Sequence, residues 1–227
     1  LTNPSCLTFL PVTGGWVGYR RWRARQPWAG PAALSGFLFL LCVLPWEARN
    51  ALVFHEVVPI RSNAGAELRR GNGPEAEGIW MYWLHPTQDA GQLQRYVQAG
   101  EIDYARMRGR EAVDFMRLEP GRTARLWLIK AWYFWAGVPA ATQPPWLAHL
   151  KNTLFLASSF LAWWGGILAV RRGKHAACLL LALLLLYPVT YYVTFPHGRY
   201  RHPIEPVMLI LIMFLVSGVH GRRQKQG

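Results

Sequence analysis

Acidic residues are scarce in this sequence, and nearly all of them are gathered in one stretch. Of twelve Asp and Glu, eleven lie between Glu47 and Glu119, and the twelfth is Glu205. No acid sits well inside an apolar run, so a proton relay or an ion-coupled transporter has little support. Cysteine is nearly absent as well. Cys6, Cys42 and Cys178 all fall in apolar stretches and read as small buried hydrophobes, and no Cys/His spacing suggests zinc. The sequence contains no phosphate-binding Gly-x-x-x-x-Gly-Lys, no Gly-x-Ser-x-Gly and no His-Glu-x-x-His. The triplet Asn3-Pro4-Ser5 is blocked as a glycosylation acceptor by its proline. There is no internal repeat and no low-complexity tract.

What is present is cationic and apolar. The 227 residues carry 25 Lys and Arg and a formal charge of +13. The stretch 47–148 is nearly neutral, with twelve cations against eleven acids. The excess sits mainly in three clusters: Arg20, Arg21, Arg23 and Arg25; Arg171, Arg172 and Lys174; Arg222, Arg223 and Lys225. Each abuts an apolar run and none contains an acid, which is the pattern of loops retained on the cytoplasmic side of a membrane. A nucleic-acid footprint would form a continuous basic face with stacking aromatics, so no nucleic-acid partner is expected.

A bilayer core of about 30 Å needs about 20 mostly apolar residues in a helix. Five segments come near this: roughly 3–19, 29–46, 147–170, 176–195 and 203–219. Gly14, Gly15 and Pro11 make the first the weakest. The expected fold is an all-α integral membrane protein with about five transmembrane helices. Two lie in 1–46 and three in 147–220, with a mostly helical extracytoplasmic segment, 47–146, between the second and third. With the three basic clusters inside, the helices alternate without adjustment and the tail 221–227 is cytoplasmic. Trp28, Trp46, Trp146, Tyr187, Tyr191, Tyr192 and Tyr200 suit interfacial belts. The chain starts at Leu1, and Leu7 to Val12 reads like the tail of a span begun earlier, so the sequence is expected to be the C-terminal part of a longer protein.

In the outer segment, Ala51 to Ile60 has β-branched character and is expected to be irregular or extended. Asn72-Gly73-Pro74 and His85-Pro86 mark breaks. Helices are expected over Gln92–Gln98 and Glu101–Leu118, the latter ended by Pro120. Glu101 and Asp103 at its start complement the helix dipole. The run 122–135 is too short and too charged to span, and reads as an amphipathic helix lying on the outer membrane surface.

The loop Pro196 to Pro206 carries His197, Arg199, Arg201 and His202 on the side where positive charge is disfavoured. Guanidinium groups match phosphate with two parallel hydrogen bonds, so capture of a lipid-linked phosphate is one reading. Arginines reaching to lipid headgroups is the other. Arg49 and Arg61 are further phosphate candidates, although Trp46 with Arg49 also makes an ordinary interfacial anchor. Asn50, Asn63, Asn72 and His85 are candidates for acceptor or sugar contact, with turn chemistry as the plainer account of most of them. No metal-ligating set is identified.

Taken in order, Pro45-Trp46-x-x-Arg49-Asn50, Val58-Pro59-Ile60-Arg61-Ser62-Asn63-x-Gly65-x-Glu67-Leu68, Gly71-Asn72, His85-Pro86, Gly100-Glu101, Glu111-Ala112 and Arg199-Tyr200-Arg201-His202-Pro203-Ile204-Glu205-Pro206 resemble the post-catalytic half of bacterial membrane glycosyltransferases of the GT-C superfamily. These are related to the dolichyl-phosphate-mannose–protein mannosyltransferases. The resemblance implies inverting transfer of a sugar from a polyprenyl-phosphate carrier to an extracytoplasmic acceptor, in a multi-pass protein of the bacterial inner (plasma) membrane. It places the catalytic acid, and any divalent metal, in a loop upstream of Leu1, so the chain by itself holds no catalytic residue and is expected to be inactive alone. Two rival readings stay open. One is a non-enzymatic membrane protein whose outer domain binds a partner or polymer. The other is a lipid-linked oligosaccharide polymerase or ligase.

Overall fold

The computed structural model describes residues 4–58, 61–139 and 144–223. Asn3, Pro59 and Ile60, and the tail from 224 onward lie outside the described residues. Helices account for the described chain and no strand occurs in it. A 3-10 turn, Pro4–Thr8, leads into α1 (Phe9–Arg23), followed by α2 (Ala29–Phe54), α3 (Ala64–Gly71), α4 (Ala90–Ala99), α5 (Glu101–Leu118), α6 (Pro120–Ala136), α7 (Pro145–Arg171), α8 (Ala176–Leu186), α9 (Val189–Val193) and α10 (Glu205–Arg223). Two further 3-10 turns occur, Tyr82–Leu84 between α3 and α4 and Gly198–Ile204, which runs directly into α10.

Four helical stretches are long and apolar enough to cross a membrane: Ala29–Phe54, Pro145–Arg171, Ala176–Val193 and Gly198–Ser217. The remaining expected span, 3–19, is a 15-residue helix preceded by the 3-10 turn. At 1.5 Å per residue α1 covers only about 22 Å, and it is outside the four.

Two of the expected spans differ from the sequence reading. α2 does not stop near Trp46 but continues through Pro45 to Phe54. Hydropathy falls at Glu47, yet Ala48, Arg49, Ala51 and Leu52 are helix formers, so the helix outlasts its apolar part. It closes at His55, which takes a left-handed conformation at φ +55°. Ala51–Phe54 is therefore helical, where extended chain was expected. The third expected span is broken in none of its length, but the fourth is interrupted at Tyr187-Pro188, between α8 and α9. Pro120 both ends α5 and opens α6 as its first residue, where its missing N–H leaves no bond unmade.

Two hydrophobic cores are joined by one helix. Ala76, Met81, Leu84, Phe115 and Leu126 pack the segment between α2 and α7. Ala162, Leu184, Tyr187, Tyr191, Ile204, Met208 and Leu211 pack α7 to α10, together with Phe134. α6 supplies Leu126 to the first and Phe134 to the second, two turns apart on one face. Its other face leaves Leu128 and Trp132 exposed. α7 and α10 approach closely at Gly165, where a Cβ would lie 2.9 Å from the Leu211 carbonyl carbon. Small residues allow such backbone approach between apolar helices, where dispersion rather than water expulsion holds the pair.

α3 is held on α5 by charge. Arg69, buried, donates to Glu111 at 3.2 Å and to Glu75 at 3.2 Å, and Arg108, also buried, pairs with the same Glu111 carboxylate. One acid thus serves two buried guanidinium groups. The cysteines depart from expectation: Cys42 is exposed and Cys6 and Cys178 are half-buried. The apolar window of α2 has no buried residue, so nothing covers Cys42 there.

Candidate functional site

Three pieces of chain converge on the Glu67 carboxylate. α3 carries Glu67 and Arg70, the segment just before α3 carries Arg61 and Asn63, and the 3-10 turn ahead of α10 carries Arg199. Asn63 Nδ2 donates to Glu67 Oε1 at 3.1 Å, and Arg70 Nη1 lies 3.4 Å from the same oxygen. Arg61 and Arg199 also act on Glu67 through their charges. Burial is the largest influence on this carboxyl and pushes its pKa up, against the pull of Arg70, Arg61 and Arg199. Arg70 is only 7 % exposed, and its Nε–H is buried without an acceptor.

An aromatic chain closes the other side. His85 meets Trp80 edge-on at 6.4 Å, Trp80 stacks on Phe195 at 6.4 Å, and Phe195 lies against Tyr200 at 6.0 Å. The Arg199 guanidinium sits over the Tyr200 ring at 5.5 Å, and Glu67 and Arg199 both act on the Tyr200 hydroxyl. Trp80 Nε1–H is buried without an acceptor. The Thr87 backbone N–H donates to His85 Nδ1 at 3.1 Å, so the neutral ring keeps its proton on Nε2. Burial, then the charge of Arg70, holds the His85 pKa below the usual imidazole value. His197 is arranged likewise: its Nδ1 accepts from the Arg199 backbone N–H at 3.3 Å. Burial and the charges of Arg199 and Lys151 lower its pKa.

The result is rich in donors and poor in acceptors. Arg61, Arg70 and Arg199 gather about one carboxylate, and the aromatic chain, with two imidazoles and an indole, lies alongside through Tyr200. Such a set suits an oxygen-rich anion, and the planar fork of arginine suits phosphate in particular. Among the described residues no group of three His, Cys, Asp or Glu gathers to hold a metal ion.

The other residues singled out from sequence go to different places. Arg201 is 3 % exposed and faces α7: Nη1 donates to the Phe155 carbonyl at 2.9 Å and to Ser159 Oγ at 3.1 Å, Nη2 donates to Ser158 Oγ, and the guanidinium covers the Phe155 ring at 4.5 Å. It is a strut that fastens the 3-10 turn to α7. His202 pairs with Glu205 at 3.1 Å. Arg49 and Asn50 stand on α2, not in a loop. Arg49 lies over Trp46 and donates to Asn50 Oδ1 at 3.1 Å, and Asn50, buried, reaches the Val58 carbonyl at 3.4 Å.

Asn72 is wholly buried beneath the site. Its Nδ2 donates to the Leu68 and Val193 carbonyls, both at 2.8 Å, while Oδ1 accepts from Lys130 Nζ at 2.9 Å. Lys130 Nζ also donates to the Val193 carbonyl at 3.1 Å. Next door, Gly71 packs directly on the backbone of Thr194: a Cβ there would lie 2.6 Å from the Thr194 carbonyl carbon and nearer still to its oxygen. Gly71, Asn72 and Lys130 therefore clamp the end of α9, and the chain leaving that clamp delivers Arg199 to Glu67.

Sequence reading missed Glu67, Arg70, Trp80 and Lys130. Lys130 was visible in principle, since it sits midway between Leu126 and Phe134 at helical spacing, on the face that carries the core. The convergence on Glu67 had no such signal. Comparison of the chain with family models, with curated proteins and with solved structures gave no match.

Proposed function

We propose that this chain is part of a membrane glycosyltransferase that moves a sugar from a polyprenyl-phosphate carrier to an acceptor outside the cytoplasm. The observation that carries the reading is the gathering of Arg61, Arg70 and Arg199 about Glu67 at the entrance to an apolar helix. A lipid phosphate leaving group gains negative charge as the sugar departs, and cations already fixed in place stabilise that charge as it develops. Arg199 and Arg61 contact the phosphate in this reading. Arg201 holds the turn that presents Arg199, and His197 borders it. Asn63 and His85 lie beside the same centre, where an acceptor or sugar would stand, and Asn72 supports the floor.

In the membrane, α1 with its 3-10 lead makes a fifth span beside the four long ones. The segment from the end of α2 to α7 then faces the non-cytoplasmic side of a bacterial inner membrane, and the Arg171–Lys174 cluster and the C-terminus face the cytoplasm. The exposed Leu128 and Trp132 of α6 rest in the outer interface.

The test is sugar transfer by the full-length protein reconstituted with a polyprenyl-phosphate-linked sugar. R199A is expected to lower turnover more than tenfold while leaving insertion intact. Unchanged turnover in R199A removes the arginine cluster from the reaction and the reading with it.

A further inference from the structure

Within the anion site of that reading, Glu67 has a place of its own. Three arginine charges act around one carboxylate, which is drawn out of water by burial and tethered by Asn63 and Arg70. Without it, the guanidinium groups of Arg61, Arg70 and Arg199 would repel one another, Arg70 from a buried position and the other two from the exposed side. With it, the cluster retains two positive charges. Two buried N–H groups, Arg70 Nε and Trp80 Nε1, have no acceptor, although a buried donor left unmade is destabilising. Arg70 is nine-tenths buried and belongs to the cluster through its 3.4 Å approach to Glu67. The site therefore holds an internal counterion and also lacks acceptor oxygens.

We infer that Glu67 is the resident counterion of a phosphoryl site formed by Arg61, Arg70 and Arg199, and that an incoming phosphoryl group replaces it as their partner. Empty, the site is held in shape by the carboxylate. Filled, the phosphoryl oxygens take over the guanidinium forks and satisfy the orphaned N–H groups. Glu67 then stands beside an anion, so its charge opposes the ligand it prepared the site to receive. It is a positioning residue whose effect on affinity has the opposite sign to that of its own ion-pair partner.

This opposition is what separates the proposal from a merely structural ion pair. If Glu67–Arg70 only stiffens α3, breaking it from either end affects ligand binding in the same direction. If Glu67 competes with the ligand, E67Q tightens binding and R70Q weakens it. Gln keeps the shape of the side chain and an oxygen for Asn63 and Arg70. One charge removed at a few ångströms in a partly desolvated site changes affinity by roughly tenfold.

The experiment measures binding by the full chain in phosphatidylcholine nanodiscs, with two probes: a polyprenyl-phosphate-linked glucose in the disc, and soluble inorganic pyrophosphate. Both are read by quenching of tryptophan fluorescence, with helical content by circular dichroism as the control for folding. The expected result is binding of the lipid probe, tightened about tenfold in E67Q and weakened at least tenfold in R70Q. R199Q, on the exposed turn, is expected to weaken it too, which covers the case in which R70Q fails to fold. R106Q, which removes only the exposed ion pairs with Glu56 and Asp103, leaves affinity unchanged. The same opposite-signed pattern with pyrophosphate alone supports the counterion site while making a free phosphate, not a lipid, its ligand. Equal-signed effects of E67Q and R199Q, or no effect of either, overturn the proposal. Because binding is read without turnover, loss of sugar transfer with the opposite signs retained refutes the transferase reading and leaves the counterion in place.

Discussion

Lys130 makes the stability of this protein rise with pH across the neutral-to-alkaline range, well above the range in which carboxylates titrate. The side chain is wholly buried, has no acid partner among its hydrogen bonds, and donates to Asn72 Oδ1 and the Val193 carbonyl. Burial disfavours the ammonium and brings its pKa down to about 7. In the unfolded chain the same group titrates near the ordinary lysine value of about 10.4. Between these two values the unfolded state binds more protons than the folded one, so stability rises with pH across the window. Below about 7 both states are protonated and the full penalty is present; above about 10.4 it is gone. The whole shift corresponds to about 4–5 kcal/mol as a ceiling, at 1.36 kcal/mol per unit. Going from pH 7 to pH 9 recovers a little over half of it. For a chain of this size each kcal/mol moves the unfolding midpoint by about 2–4 °C, so the gain is about 5–10 °C. K130M has no amine to titrate and takes the donor from Asn72 Oδ1, while the Val193 carbonyl keeps the Asn72 amide; a buried group left without its bond costs about 1–3 kcal/mol at any pH. Thermal unfolding in detergent, followed by circular dichroism at pH 7, 8 and 9, is therefore expected to show a midpoint that climbs in the wild type and stays level in K130M. Parallel curves for the two proteins would refute the reasoning, because the amine would then be ionised and solvated in the folded state.

Two further outcomes test the architecture. G71A places a methyl group against the Thr194 carbonyl; overpacking of this kind costs about 1–3 kcal/mol, occasionally more, and the shift of residues 193–199 should also weaken binding of the phosphoryl probe, measured alongside the thermal midpoint. With the three native cysteines replaced, a membrane-impermeant maleimide added to intact cells is expected to label E75C and to spare K174C until the membrane is opened; the reverse pattern inverts the proposed topology.

How far the fold was legible differs from element to element. The helices over 92–98 and 101–118 appear as α4 (Ala90–Ala99) and α5 (Glu101–Leu118), because Asp89 accepts the Gln92 N–H as an N-cap and Pro120 bars continuation. The end of α2 was misread because hydropathy was taken as the measure of helix length, and polar residues with good helical propensity carried the helix eight residues past Trp46. Candidate residues were chosen by type, and the type was informative only where the chain brought partners to them. Arg61, Arg199, Asn63 and His85 were brought to one place; Arg201, equal to Arg199 in composition and two positions away, was turned into α7 instead.

Helices apolar enough to span a membrane, their rough number and the near-neutrality of the segment 47–148 were determined by the sequence alone, since hydropathy and charge add up along the chain and need no knowledge of what packs where. The gathering of charged residues about Glu67 was decided only in three dimensions. Glu67 and Arg199 stand more than a hundred residues apart, as do Asn72 and Val193, and no local pattern encodes such a meeting. It exists because α6 spans both cores, because Gly71 lets two backbones touch, and because the clamp of Asn72 and Lys130 on α9 determines where the following turn must point.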